Sequence, residues 1–101
     1  MIEIILAAAA PQVITITAMR FRYEPENITV KQGQPIVLRL KSLDRVHGFN
    51  LPDLHIRTNV TPDKFTEVHI PAQKPGTYSF FCDVFCGEGH DDMGGTLKVQ
   101  Q

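Results

Sequence analysis

From residue 12 onward, apolar side chains recur at every second position in short runs broken by turn residues. "VITITAM" (13–19), "NITV" (27–30), "IVLRLKS" (36–42) and "KFTEVHI" (64–70) follow this pattern, and "TYSFFC" (77–82) and "TLKVQ" (96–100) are strand-like. A period of two sends alternate side chains to opposite faces of an extended chain, as in a strand with one buried face. No stretch of ten or more residues carries the 3.6-residue period and end signals of a helix. The chain is therefore expected to be all-β, a Greek-key β-sandwich or small barrel. Residues 50–63, "NLPDLHIRTNVTPD", hold two prolines and two asparagines and read as a long crossover between the sheets. A short strand is expected there at "HIRT", with a connecting rather than a chemical role.

A length of 101 residues suits one domain with a single modest core. The net charge of −1, with no basic stripe, points away from nucleic acid. With no Trp and two Tyr, the chain lacks the material for a large aromatic binding platform, and it carries no Gly-rich phosphate loop. The start, "MIEIILAAAAPQ", has an apolar run of about ten residues, well short of the roughly 20 that span a bilayer. It is similar to the apolar stretch of a signal peptide but lacks a basic start and carries Glu3. Residues 1–11 read either as a first strand or as the remnant of a leader or membrane anchor. Residues 12–101 then form a single domain.

The chemistry is concentrated in "FCDVFCGEGHDDM", residues 81–93, which hold both cysteines of the chain. A disulfide between Cys82 and Cys86 would close a tiny loop and add little stability, so a structural bridge is a weak explanation. A thiol–disulfide redox pair is also disfavoured, because the usual spacing at a helix start is missing. Thiolate, imidazole and thioether donors on one loop favour a soft transition metal, with copper first. Zinc seldom uses a methionine such as Met93. A one-copper site of the blue type needs one Cys, two His and a weak axial Met, which makes the second thiolate superfluous. Two thiolates could instead bridge two copper ions. That arrangement needs a further His, and His47, His55 and His69 are available. His69 reads as a sheet-face residue and His55 as a solvated or locally bonded one. His47, in "DRVHGFN", lies in a loop that could reach residues 82–93, or it is simply a satisfied loop imidazole. All strong donors look committed to metal, which leaves no open position for catalysis within the chain.

The pattern C-x3-C-x3-H-x2-M, with "VHGF" about 35 residues upstream, resembles the dinuclear copper (CuA) domain of cytochrome c oxidase subunit II. Nitrous oxide reductase carries a similar domain. "KFTEVHIPAQKPGTYSFFC" is similar to that family's approach to its first cysteine, and "FRYEPENITVKQGQPIVLRL" to the general start of a cupredoxin. The resemblance implies that Cys82 and Cys86 bridge two coppers. It also implies that His47 and Met93 complete one ion, and His90 and the backbone carbonyl of Val84 the other. It further implies a mixed-valence electron carrier in the periplasm or another extracytoplasmic space, exchanging electrons with a cytochrome or small copper protein. A copper delivery or storage protein, and the copper domain of a larger oxidase or reductase complex, are the alternatives.

A ligating imidazole generally donates its second N–H to an acceptor, and Asp44 is a candidate for His47, though it could equally serve the turn in "SLDRVHG". Asp83, Glu88, Asp91 and Asp92 put four of the eleven acids on the ligand loop, either as a solvated loop or as a rim that steers a basic partner. In three respects the sequence departs from subunit II. No membrane helices precede the domain, Val84 stands where the oxidase pattern has Glu, and "MRFRYEPEN" replaces the Trp-rich aromatic stretch. From these departures a free-standing or weakly tethered domain is expected, with no docking to a standard oxidase subunit I.

Overall fold

A computed structural model describes residues 10–84 and 93–101. Within them the chain runs through β1 (Gln12–Met19), β2 (Arg22–Glu24), β3 (Asn27–Lys31), β4 (Ile36–Ser42) and β5 (His47–Leu51). A single 3-10 turn (Pro52–Leu54) follows, then β6 (Ile56–Val60), β7 (Thr66–Ile70), β8 (Gly76–Phe81) and β9 (Gly94–Gln100). One sheet has the order β2-β1-β4-β7 and the other β3-β9-β8-β5-β6. β1 and β4 are parallel, as are β3 and β9, because the chain leaves one sheet and re-enters it. This is the all-β sandwich expected from the alternation.

The inner faces supply the core. Ile16, Ala18, Ile36, Leu38 and Leu40 of the first sheet face Val30, Phe49, Leu51, Phe80 and Leu97 of the second, all of them buried. Apolar burial of this kind contributes roughly 25 cal/mol per Å2 removed from water and is the main favourable term for a sandwich of this size. Tyr23 stands edge-on to Phe49 and Phe80, with ring centroids 6.0 and 5.1 Å away, the geometry aromatic pairs prefer. Its hydroxyl reaches through the core to donate 2.6 Å to the carbonyl of Gly48. The core therefore fixes the backbone of β5 one residue beyond His47. Cys82 and Met93 belong to the same buried cluster, so the site grows out of one end of the core.

The long crossover expected over residues 50–63 is corrected, while the short strand expected at "HIRT" is present, shifted, as β6. β5 and β6 form an antiparallel hairpin within one sheet, with His47 opposite Val60 and Leu51 opposite Ile56. The turn between them holds Pro52, with His55 at φ 57° and its N–H donated to the Pro52 carbonyl. The crossover to the other sheet comes only after Val60, before β7. Pro52 marks a tight turn, and Pro62 lies in the short crossover that follows β6.

Candidate metal centre

His47 is the first residue of β5, not a loop residue, and it is fully buried. The turn before it explains how it is held. Ser42 Oγ bonds the Arg45 carbonyl, and Asp44 receives the N–H groups of Arg20 (2.8 Å) and Arg45 (2.6 Å). Asp44 Oδ1 also lies 2.7 Å from His47 Nε2. The two roles weighed for Asp44 coincide, since it closes the turn and binds the imidazole. Partial burial pushes the Asp44 carboxyl up, but the Arg20, His47 and Arg45 hydrogen bonds together outweigh this and bring it down to about 2. An ionised carboxylate only accepts, so the proton of the neutral ring sits on Nε2 and Nδ1 carries the lone pair.

That lone pair is the informative atom. His47 Nδ1 is buried and has no hydrogen-bond partner among the described residues. Leaving a buried polar atom unsatisfied costs about 1–3 kcal/mol, which a cation at that position would relieve. An orphaned imidazole nitrogen whose opposite N–H is anchored to a carboxylate is the arrangement typical of a metal-ligating histidine.

Cys82 follows β8 directly and is 3% exposed. Its N–H bonds the Met93 carbonyl at 3.1 Å, which brings the two ends of the ligand loop together where β8 meets β9. Met93 itself is 1% exposed. The sulfur of Cys82 accepts the Gly48 N–H at 3.3 Å and donates its own proton to the Val84 carbonyl at 3.2 Å. The second contact marks the sulfur and the carbonyl as two potential donors to metal that face one spot. Gly48 thus ties the residue after His47 to the first cysteine.

The chain can approach this closely because Gly48 has no side chain. A methyl there would collide with Asp83 Oδ1 and stand 3.0 and 3.1 Å from the backbone nitrogens of Asp83 and Val84. The structure therefore brings His47, Cys82, the Val84 carbonyl and Met93 to one end of the five-stranded sheet. Cys86 and His90 lie outside the described residues, as do Glu88, Asp91 and Asp92. His55 and His69 are exposed and lie away from this end. His69, on the outer face of β7, stands 3.4 Å from Glu67.

Asp83 does not belong to an open acidic rim. Arg57 Nη2 and Nε each donate to it at 2.8 Å, and Asn50 Nδ2 adds a bond of 3.2 Å. The Arg57 bond, more than any other influence, holds the Asp83 carboxyl below its ordinary range. Sequence reasoning missed Arg57, Asn50, Gly48 and Tyr23 as parts of the site. The two-residue alternation puts Arg57 and Asn59 on one face of β6, but nothing local ties that face to a residue 26 positions away.

The donor set fits copper. It is soft, buried and fixed by a β-scaffold, and one imidazole nitrogen is left open by the fold. Comparison with known proteins agrees. The cupredoxin-like domain profile matches residues 2–99. Cytochrome c oxidase subunit 2 of Thermus thermophilus is 35% identical over 88 residues, covering 87% of this chain and 65% of that protein. Nitrous-oxide reductase of Stutzerimonas stutzeri is 25% identical over 91 residues, covering 86% of this chain but 14% of its own length. The chain thus spans less than two thirds of these relatives. In structure, the periplasmic domain of subunit II of cytochrome oxidase (CoxB) of Bradyrhizobium japonicum superposes with a TM-score of 0.81 at 18% identity, covering 89% of this chain and 84% of that one.

Proposed function

This chain belongs to the cupredoxin-like domain family, and from that premise we propose that it is a periplasmic electron carrier with a dinuclear copper centre. The observation that carries the proposal is the buried Nδ1 of His47, without a partner among the described residues and held at the same end of the sheet as Cys82 and Met93. Cys82 and Cys86 would bridge the two ions. His47 and Met93 would complete one, and His90 and the Val84 carbonyl the other. Copper held by this set supplies a one-electron couple. Similarity to oxidase subunit 2 and nitrous-oxide reductase over most of this chain supports copper as the metal and the extracytoplasmic side as its place.

The protein's own residues serve this role by fixing the positions of the donors. Asp44 fixes the tautomer and orientation of His47, and Tyr23 and Cys82 hold the Gly48 peptide from both of its polar ends. A scaffold that keeps donors still through a change of charge keeps the reorganisation that accompanies electron transfer small. A redox partner such as a cytochrome or small copper protein would approach over the Asp44 turn. Phe21, Leu43 and Val46 are exposed there, and the N–H of Arg20 reaches across to Asp44. The expectation that the chain avoids a standard oxidase subunit I finds no support in the comparisons.

Copper titration of the purified apoprotein with metal counting tests the stoichiometry. Two coppers per chain are expected, and saturation at one would contradict the dinuclear reading. Met93→Leu removes a weak thioether donor while keeping bulk, so it should retain both coppers and shift the potential in cyclic voltammetry. Asp44→Ala removes the acceptor of the His47 N–H. Loss of such a partner generally costs about 10–100-fold in metal affinity, and competition with a chelator should show a loss in that range.

A further inference from the structure

We infer that Arg57, on β6, is a positioning residue for the copper loop, gripping Asp83 at two points and offsetting its charge beside the centre. The inference rests on the copper reading above. Asp83 sits between Cys82, whose sulfur is a proposed bridge, and Val84, whose carbonyl is a proposed ligand. Whatever holds Asp83 therefore holds both donors. Arg57 contacts both of its carboxylate oxygens at 2.8 Å, and Asn50 on β5 adds a third bond. A paired fork of this kind fixes orientation as well as distance, which a lysine cannot do. Arg57 is itself braced, with Nη1 donating 2.6 Å to Asn59 Oδ1 two residues along the same strand. The grip thus runs from β6, through the loop, to the first cysteine.

The arrangement is specific to the site. Arg57 and Asp83 side chains are 42% and 22% exposed, so as a simple surface ion pair they would stabilise the fold by little. The close approach of Asp83 to β5 is possible only over the bare Gly48 backbone. The Arg57 guanidinium is held above its ordinary range mainly by the Asp83 bond, against some desolvation, and the charge of Cys82 adds to the effect. Geometry places the cation at the site as well, because the carboxylate it grips belongs to the residue next to Cys82, the proposed bridge. Reduction adds negative charge to the centre, so a nearby cation favours the reduced form and a nearby anion the oxidised form.

Three variants separate grip from charge. Arg57→Lys keeps the cation and loses the two-point grip; copper loss to a chelator should be about 10-fold faster, with the potential near that of the parent. Arg57→Gln loses both, so copper loss should quicken similarly and the potential should fall, because Asp83 is left unbalanced. Asp83→Asn should raise the potential. Melting of the apoproteins serves as a control and should change little, since the pair is largely exposed. Unchanged copper loss in Arg57→Lys would overturn the positioning role. Unchanged potentials in both Arg57→Gln and Asp83→Asn, or shifts of the same sign, would overturn the charge role. If the parent chain failed to bind two coppers, the dinuclear reading would fall first, and copper counting shows that separately.

Discussion

Cys86→Ser is expected to abolish the mixed-valence signature completely while leaving the β-sandwich folded. The reasoning is one of donor count. With a single thiolate left at Cys82, the loop can satisfy one copper in the blue-copper manner, with imidazole and thioether around it, but cannot bridge two. The fold should survive because the exchange replaces one sulfur by oxygen, while the described core is built from the inner faces of both sheets. The variant should bind one copper per chain, and its electron paramagnetic resonance should show splitting from a single nucleus. Retention of the two-copper spectrum would rule out bridging by this pair.

Gly48→Ala should do nearly as much damage through a single methyl group. The added carbon collides with the Asp83 carboxylate and crowds the backbone of residues 83 and 84. The Asp83 side chain could move, but only by leaving Arg57 and Asn50, and the backbone nitrogens have nowhere to go. Overpacking of this kind costs about 1–3 kcal/mol. A urea midpoint lowered by that amount at unchanged slope is the expected result. The same displacement pulls Cys82 and the Val84 carbonyl from their places, so copper binding should weaken along with the fold. A variant with parental stability and copper affinity would mean that the close packing of β5 against residues 82–84 does not hold the centre.

Much of the fold was legible because alternation is a local property. β4 coincides with "IVLRLKS", whose pattern is closed at one end by Pro35 and at the other by the Ser42 turn. β5 escaped notice because "HGFNL" mixes a glycine and two polar residues into a strand buried on nearly every side. Its neighbours β8 and β6 supply the burial, and neither is visible from five residues. β2 is three residues long, too short for any period to register.

The site divided along similar lines. The cysteines, His90 and Met93 are spaced within one loop, so their chemistry can be read directly. His47 is one of three candidate histidines in the sequence, singled out by the resemblance, and its orphaned nitrogen emerges only when Asp44 folds back on it. Arg57 was read as part of a connector, since its partner is set by the register of the β5–β6 hairpin beside β8. Asp83, grouped with the acids of the loop, is paired with Arg57 and Asn50, residues of the β5–β6 hairpin.

The central claim is that two coppers share one unpaired electron through two thiolates. Electron paramagnetic resonance of the copper-loaded chain, combined with its copper content, tests this most directly. Two coppers per chain, with hyperfine splitting spread equally over two copper nuclei and one spin per pair, is the predicted result. One copper per chain, or splitting from a single nucleus, would contradict it.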